Sequence, residues 1–341
     1  MIELDGSAGE GGGQVLRTAL TLSLLTGQPF GIGNIRARRS EPGLLHRHLL
    51  AVAAAQAISG AQCSGAEVGS RMLMFAPGPI KSGEYSFDIG TAESCTLVLQ
   101  TILPALLFAD KASTVRIRGG THNPMAPPAH FLQRAWRRAM GDMGAVIDIE
   151  LKRFGFYPDG GGEIVATVQP CKGLRPCEWM SRGALDTAYA ESFIAAAPAG
   201  VAQHELDVVR PGMGWDDSQL LVRGLEAEPG PGNALLVTLE HAHVTEVFTA
   251  FGERAVSADK VAQTVVRMAD RYLASAAAIG EHLGDQLLLP LALAGGGRFT
   301  VEKISMHART NAEVIERFLP VRFEFHEAYD ATASVVEVMR R

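Results

Sequence analysis

The sequence is short of cysteine, has no excess of basic residues and contains no long apolar run, and each shortage closes off a class of protein. Its four cysteines, Cys63, Cys95, Cys171 and Cys177, form no Cys-x-x-Cys pair, and a chain of 341 residues needs no disulfide staples. They are expected to be reduced, buried thiols. Lys and Arg number 31 against 37 Asp and Glu, a formal net charge of −6. That balance excludes a protein that coats nucleic acid non-specifically, because such binding rests on broad neutralisation of phosphates. The longest apolar stretch, near Leu97 to Ala109, is interrupted by Gln100 and Pro104 and falls short of a membrane span. The opening Met-Ile-Glu-Leu-Asp lacks the basic and apolar regions of a signal peptide, so the cytoplasm is the expected location.

What is present is ample core material, 47% hydrophobic against 20% charged, in a chain long enough for two domains. Any contact with nucleic acid must be local. Arg36, Arg38 and Arg39 lie together, and Arg134, Arg137 and Arg138 surround Trp136 on an expected helix, a pattern that suits gripping an end better than coating a strand.

A strand, a polar loop and an amphipathic helix recur in that order three times. The first copy runs from Phe30 through Ile35 into a helix after Pro42, the second from Val115 through Ile117 into a helix after Pro128, and the third from Phe299 through Ile304 into a helix after Thr310. Apolar helical segments precede them at Val15 to Leu25, Thr96 to Phe108 and, with interruptions, Ala274 to Leu293. Two short strands follow each of the first two helices, ending at Pro77-Gly78 and at Pro158 to Gly162; Val321 to Phe325 and Ala333 to Val338 alternate like a strand pair in the third. Phe30 to Val115 is 85 residues and Val115 to Phe299 is 184, and the difference of 99 is the size of a small domain. The expected architecture is therefore α/β (α+β): three tandem α/β repeats forming a large domain, 1–180 and 273–341, with a smaller α/β domain, 181–272, inserted between repeats two and three. Within the insertion, Val201 to Val209, Ala234 to Leu239 and Thr245 to Phe251 read as strands, and Asp216 to Glu226 and the run from Ala258 as helices.

Gly9-Glu10-Gly11-Gly12-Gly13-Gln14 follows a short strand and opens a helix, which places bare backbone N–H groups and a helix N-terminus where an anion can dock. It is neither a Walker A loop, since Gly12-Gly13 replaces Lys-Ser/Thr, nor a dinucleotide fingerprint, since Gln14 stands at the third glycine. Arg17 lies one turn on from Gln14, and Glu10 is the loop's only carboxylate. The Arg36–Arg39 loop follows the next strand, and loops at matching strand ends can converge on one site, where arginine forks bind phosphate oxygens bidentately. In the third copy His307 sits after a strand and before a helix, a position from which a neutral imidazole can attack phosphorus in line. Read alone, the loop is also a plain tight turn, the arginines a solvated loop and the histidine a surface residue.

These residues, with Asp5 to Arg17, Cys95 to Gln100, Asn123-Pro124 to Pro127-Pro128, Gly155 to Gly162 and Gly230-Pro-Gly-Asn233, resemble the RNA 3′-terminal phosphate cyclases over nearly the whole chain. The resemblance implies three α/β repeats with one inserted domain and an ATP-dependent, ligase-class reaction in three steps. His307 attacks the α-phosphorus of ATP and releases pyrophosphate; the RNA 3′-phosphate takes the AMP; the vicinal 2′-hydroxyl then closes a 2′,3′-cyclic phosphate and expels AMP. It further implies that Glu10 holds Mg²⁺ or Mn²⁺, that Gln14, Arg17, Arg36 and Arg39 hold the triphosphate and RNA end, and that Gln100, Pro127, Phe131, Asp285 and Gln286 frame the adenosine, with His282 where a tyrosine often covers the base. The partners implied are ATP and an RNA with a 3′-terminal phosphate, with no membrane and with a homodimer left open. Glu41 and Phe154 replace basic residues of the family's pattern, so grip on RNA is expected to differ. Two rivals remain: a cyclase-like RNA-binding scaffold of ribosome assembly, which lacks the histidine, and an enolpyruvyl transferase, which is built from similar repeats.

Overall fold

The chain opens with β1 (Ile2–Asp5), α1 (Gly13–Thr26), β2 (Phe30–Gly33), α2 (His46–Ser59), β3 (Gln62–Ser64) and β4 (Leu73–Ala76). In the computed structural model, which describes residues 1–90, 92–225, 230–328 and 333–341, these strands pair in the order β1-β2-β4-β3. β1 and β2 are parallel, joined through α1, and the remaining pairs are antiparallel. The same plan returns in β5 (Glu84–Asp88), α3 (Cys95–Leu106), β6 (Ser113–Gly119), a helical segment made of α4 (Ala129–Phe131), a π-helical turn (Leu132–Trp136) and α5 (Arg137–Asp142), then β7 (Ile147–Arg153) and β8 (Gly162–Val168). Here the order is β5-β6-β8-β7, with β5 and β6 parallel. Pro158 to Gly162 therefore leads from β7 into β8 instead of ending a strand pair: the two strands enclose the proline and glycines that the sequence pattern placed after both.

The third sheet begins with β9 (Glu178–Trp179). The chain then leaves it for β10 (Leu185–Ala195), α6 (Ala199–Met213), β11 (Leu220–Gly224), β12 (Gly232–His241), β13 (Thr245–Phe251) and α7 (Ala258–Ala274). It returns through α8 (Glu281–Ala294), β14 (Gly297–Val301), α9 (Met306–Phe318), β15 (Val321–His326) and β16 (Ser334–Arg340). β14 pairs in parallel with β9, and β16 lies between β14 and β15. The long excursion thus interrupts the third unit after its first strand, where spacing alone located it between units two and three.

Three stretches differ from the sequence reading. Val201 to Val209 is helical, within α6: Ala202, Glu205, Leu206 and Val209 are its buried residues, a helical and not an alternating period. Asp216 opens a 3₁₀ turn, Asp217–Gln219, that runs into β11, paired in parallel with β10; Glu226 lies outside the described residues. α9 starts at Met306, before Thr310, because Ser305 caps it by accepting the Ala308 N–H at 2.8 Å.

α1, α3 and α8 occupy the same place in their units and bury Leu16, Leu20, Leu99, Leu103, Leu287 and Leu291 in one core, each side chain contributing about 1.5–3 kcal/mol. Pro104 and Pro290 fall at the tenth residue of α3 and α8. Each removes one helical N–H, freeing the carbonyls of Gln100 and Gln286 four residues earlier. The β10–β13 sheet alternates with period two between two cores. Leu235, Val237 and Leu239 face α6 and α7, whereas Phe193, Ala195, Ala234 and Leu236 join the main core. Among the described residues no helix is long and apolar enough to cross a membrane.

Candidate active site

The loop between β1 and α1 is shaped by local chemistry. Asp5 Oδ1 accepts the Ser7 N–H at 2.9 Å and its hydroxyl at 2.8 Å, closing the first turn. Gly9 then takes φ +54°, with a Cβ position only 2.2 Å from Thr310 Oγ1, so only glycine lets the loop dock there. Docking delivers the next residue: the Glu10 N–H donates to Thr310 Oγ1 at 3.0 Å, and the Glu10 carboxylate comes to rest over the start of α9, 3.6 Å from His307 Nδ1.

His307 thus stands in the first turn of α9, about half exposed, with Nδ1 toward Glu10 and, among the described residues, no hydrogen-bond partner for Nε2. Partial burial and the nearby Arg17 and Arg39 guanidinium groups hold its imidazole below the ordinary value, so it is neutral at pH 7. Arg39 ion-pairs with the Glu10 carboxylate and donates to the Glu10 carbonyl at 2.9 Å. Arg17 donates to Gln14 Oε1 at 2.8 Å; Gln14 Nε2 donates to Thr18, whose hydroxyl donates to Asn311 Oδ1 at 2.6 Å, tying α1 to α9. Burial pulls the Arg17 guanidinium down to about 10, which leaves it charged.

Beside this group a cleft runs between α1, α3, α8 and α9, lined by Gln14, Arg17, Gln100, Trp136, Asp285 and Gln286 among others. Gln100 Nε2 donates to Gln286 Oε1 at 2.8 Å across it. Asp285 accepts the Ser305 hydroxyl at 2.5 Å, so the residue that caps α9 also fastens it to α8; burial raises the Asp285 carboxyl to about 7. His282 is exposed at the start of α8, within electrostatic reach of His307.

Other expected site residues sit apart. Pro127 is fixed by its carbonyl, which accepts the Thr96 hydroxyl at 2.7 Å one turn before Gln100, and Phe131 is buried; neither lines the cleft. Arg36 is buried, with left-handed backbone at φ +54°, and its fork is spent on the Glu41 carbonyl. The cluster around Trp136 does not form a free basic face. Arg134 and Arg138 reach into the β10–β13 sheet, and Arg137 donates to the Gln133 carbonyl.

His48 is the residue that reading along the chain missed. It is buried on α2, its Nδ1 accepts the Leu45 N–H at 3.0 Å, and its Nε2 lies 2.6 Å from where a Gly13 Cβ would stand. Burial, with Arg17, Arg47 and Arg36 nearby, drives it down to about 3. A neutral ring whose Nδ1 accepts must carry its hydrogen on Nε2, beside the loop. Its only sequence signal was a histidine near the start of a helix.

Glu10 is the carboxylate available to a divalent cation at the loop, and among the described residues no three His, Cys, Asp or Glu side chains form a metal cage. One carboxylate beside an anion site fits Mg²⁺ or Mn²⁺, which take most of their ligands from substrate phosphates and water.

The glycine-rich loop, its arginines and a half-exposed imidazole beside them are those of an α/β enzyme of the ligase class. The chain belongs to the RNA 3′-terminal phosphate cyclase family, whose model matches residues 8–325. It is 54% identical over 341 residues to an RNA 3′-terminal phosphate cyclase of Ralstonia nicotianae, covering 99% of this chain and 97% of that one. Proteins of the same description from Koribacter versatilis (50% identical; 96% of this chain, 92% of that) and Salmonella enteritidis (51%; 95% of each) match as fully.

Proposed function

We propose that this protein converts an RNA 3′-terminal phosphate to a 2′,3′-cyclic phosphate at the expense of ATP, through adenylylation of His307. The observation that carries the reading is the placement of His307, half exposed, its Nδ1 facing Glu10 and its imidazole within electrostatic reach of Arg17 and Arg39. In the first step Nε2 attacks the α-phosphorus; the N–P bond forms as the bond to pyrophosphate breaks, and Glu10 balances the Nδ1 hydrogen of the charged ring. Arg17 and Arg39, with Gln14, are suited to the charge of the triphosphate. In the second step the RNA 3′-phosphate oxygen displaces His307 and takes the AMP. In the third the 2′-hydroxyl attacks the activated phosphorus, loses its proton and expels AMP, which restricts the closing step to RNA. Mg²⁺ or Mn²⁺ held by Glu10 would supply Lewis acidity at the phosphates. Gln100, Asp285 and Gln286 are read as the adenosine frame, with His282 able to stack over the base.

We also read 1–180 and 273–341 as the catalytic body and 181–272 as a second domain, a division supported by the separate apolar cluster from Ala188 to Tyr272. That segment holds seven of the 31 basic and 13 of the 37 acidic residues, so the whole net charge of −6 falls on it and RNA is favoured over the neutral body. Incubation of a 3′-phosphorylated RNA with ATP and Mg²⁺ tests the reading. The expected product is an end resistant to phosphatase and opened by acid; an end that stays phosphatase-sensitive overturns it.

A further inference from the structure

The helical segment from Ala129 to Asp142 has two clients. Trp136, at the end of its π-helical turn, lines the cleft, and the segment packs on α8 along that side. Its other side is gripped by the β10–β13 sheet. Arg134 Nη1 stands 2.6 Å from Glu191 Oε2 and donates to the Thr238 hydroxyl at 3.0 Å. Arg138 donates to the Thr245 hydroxyl and the Ala242 carbonyl, both at 2.7 Å. His130 packs at a tilt on Phe193 with ring centroids 4.7 Å apart and shares a 2.9 Å hydrogen bond with His122, which stacks on Phe154. Two motifs without a part in the chemistry meet here as well: the Phe156 ring fills the space where a Gly232 side chain would be.

Glu191 is the centre of this grip. It is 4% exposed, on the body-facing side of β10 with Phe193 and Ala195, and Arg223 holds its other oxygen at 2.9 Å. Loss of this carboxylate is costly, because it leaves the largely buried Arg134 charged without its acidic partner. Arg134 lies two residues from Trp136 in a turn whose π-helical widening departs from regular helix, a geometry that recurs at functional sites. The grip therefore sets where the turn, and with it the cleft wall, stands.

We infer that Glu191 and Arg134 are positioning residues for the nucleotide: the 181–272 segment, itself remote from the reacting atoms, holds the Trp136 wall of the cleft at the spacing ATP requires. The inference rests on the proposed use of the cleft for ATP. A loosened wall weakens nucleotide binding while His307, Glu10 and the arginines, carried on α9, α1 and their loops, keep their geometry. A merely structural pair would instead lower the amount of active protein and leave the affinity of the remainder unchanged.

The test is self-adenylylation rate against ATP concentration for the wild type, Glu191→Gln and Arg134→Lys, with the protein's tryptophan fluorescence, from Trp136, Trp179 and Trp215, titrated in parallel with α,β-methylene-ATP, whose α–β bridge does not break. The expected result is a KM for ATP raised fivefold or more in both variants, kcat within twofold, and a fluorescence midpoint displaced by the same factor. Arg134→Lys keeps the charge and loses the fork, so it carries the test if Glu191→Gln does not fold. An unchanged KM in a folded variant, or a loss confined to kcat with the midpoint unmoved, overturns the inference. The titration reads binding without chemistry, so a wild type that binds ATP and never becomes adenylylated would sink the functional reading and leave this test standing.

Discussion

On the proposed reading His307 acts only while it is neutral, and its surroundings decide how far into acid that holds. Burial and the charges of Arg17 and Arg39 disfavour the imidazolium, so the folded value lies below 6.5. As pH falls, protonation removes the lone pair of Nε2, and the depressed value delays that loss. Adenylylation is therefore expected to lose its rate on acidification at a lower pH than an ordinary imidazole would, measured as initial rates at saturating ATP. Arg39→Ala takes away one of the two cations and is expected to shift the acid limb upward; a limb that stays in place would show that Arg39 does not tune the histidine. Ser305 has a quieter part, capping α9 and fastening it to Asp285, so the helix that carries His307 is held at its first turn from two directions.

At the scale of elements, the candidate active site depends on one docking contact, the glycine-rich loop on α9. Gly9→Ala brings a methyl group within 2.2 Å of Thr310 Oγ1 and forces L-residue backbone into the left-handed region, at a cost of about 1 kcal/mol or more. The expected outcome is a fall in adenylylation of at least tenfold with a small drop in melting temperature, because Glu10 leaves His307 while the core is untouched. The recurring strand, loop and helix were legible along the chain because their apolar periods alternate sharply between two and 3.6. Glu10, Gln14, Arg17, Arg39 and His307, read from separate stretches, come together because each follows a strand at the same edge of its unit. What could not be read has physical causes too. The α6 stretch carries Glu205, buried against the Ser192 hydroxyl, at a position that should be apolar, which hid the helical period. β9 is two residues long, too short for any period, so the third unit's true beginning was invisible. Arg134 and Arg138 looked like a nucleic-acid grip because nothing in the local sequence reveals a sheet folding back from a hundred residues away.

For the whole molecule, burial of histidines sets a limit in acid. His48 and His122 are each driven down to about 3, and His130 well below 6.5, so the folded protein keeps all three neutral where the unfolded chain takes up protons. Below pH 6.5 each of these groups withdraws stability by about 1.4 kcal/mol per pH unit until its own folded value is reached. Glu246, raised by burial to about 8, acts in the opposite sense, relieving a cost as pH falls from 8 to the ordinary carboxyl range near 4.5. The melting temperature is expected to rise as pH falls from 8 to 6.5, where Glu246 and Asp285 take up protons, and to fall below 6.5, where the three imidazoles outweigh the two carboxyls; a curve still rising at pH 4.5 would mean these imidazoles are not buried. The central claim, that His307 carries the nucleotide, has a more direct test. Protein is incubated with ATP labelled at the α-phosphate and Mg²⁺ or Mn²⁺, with and without His307→Ala, then denatured and separated from free nucleotide. The account predicts a covalent label that acid removes and that the variant never acquires. Label retained on His307→Ala, or none on the wild-type protein, would contradict it.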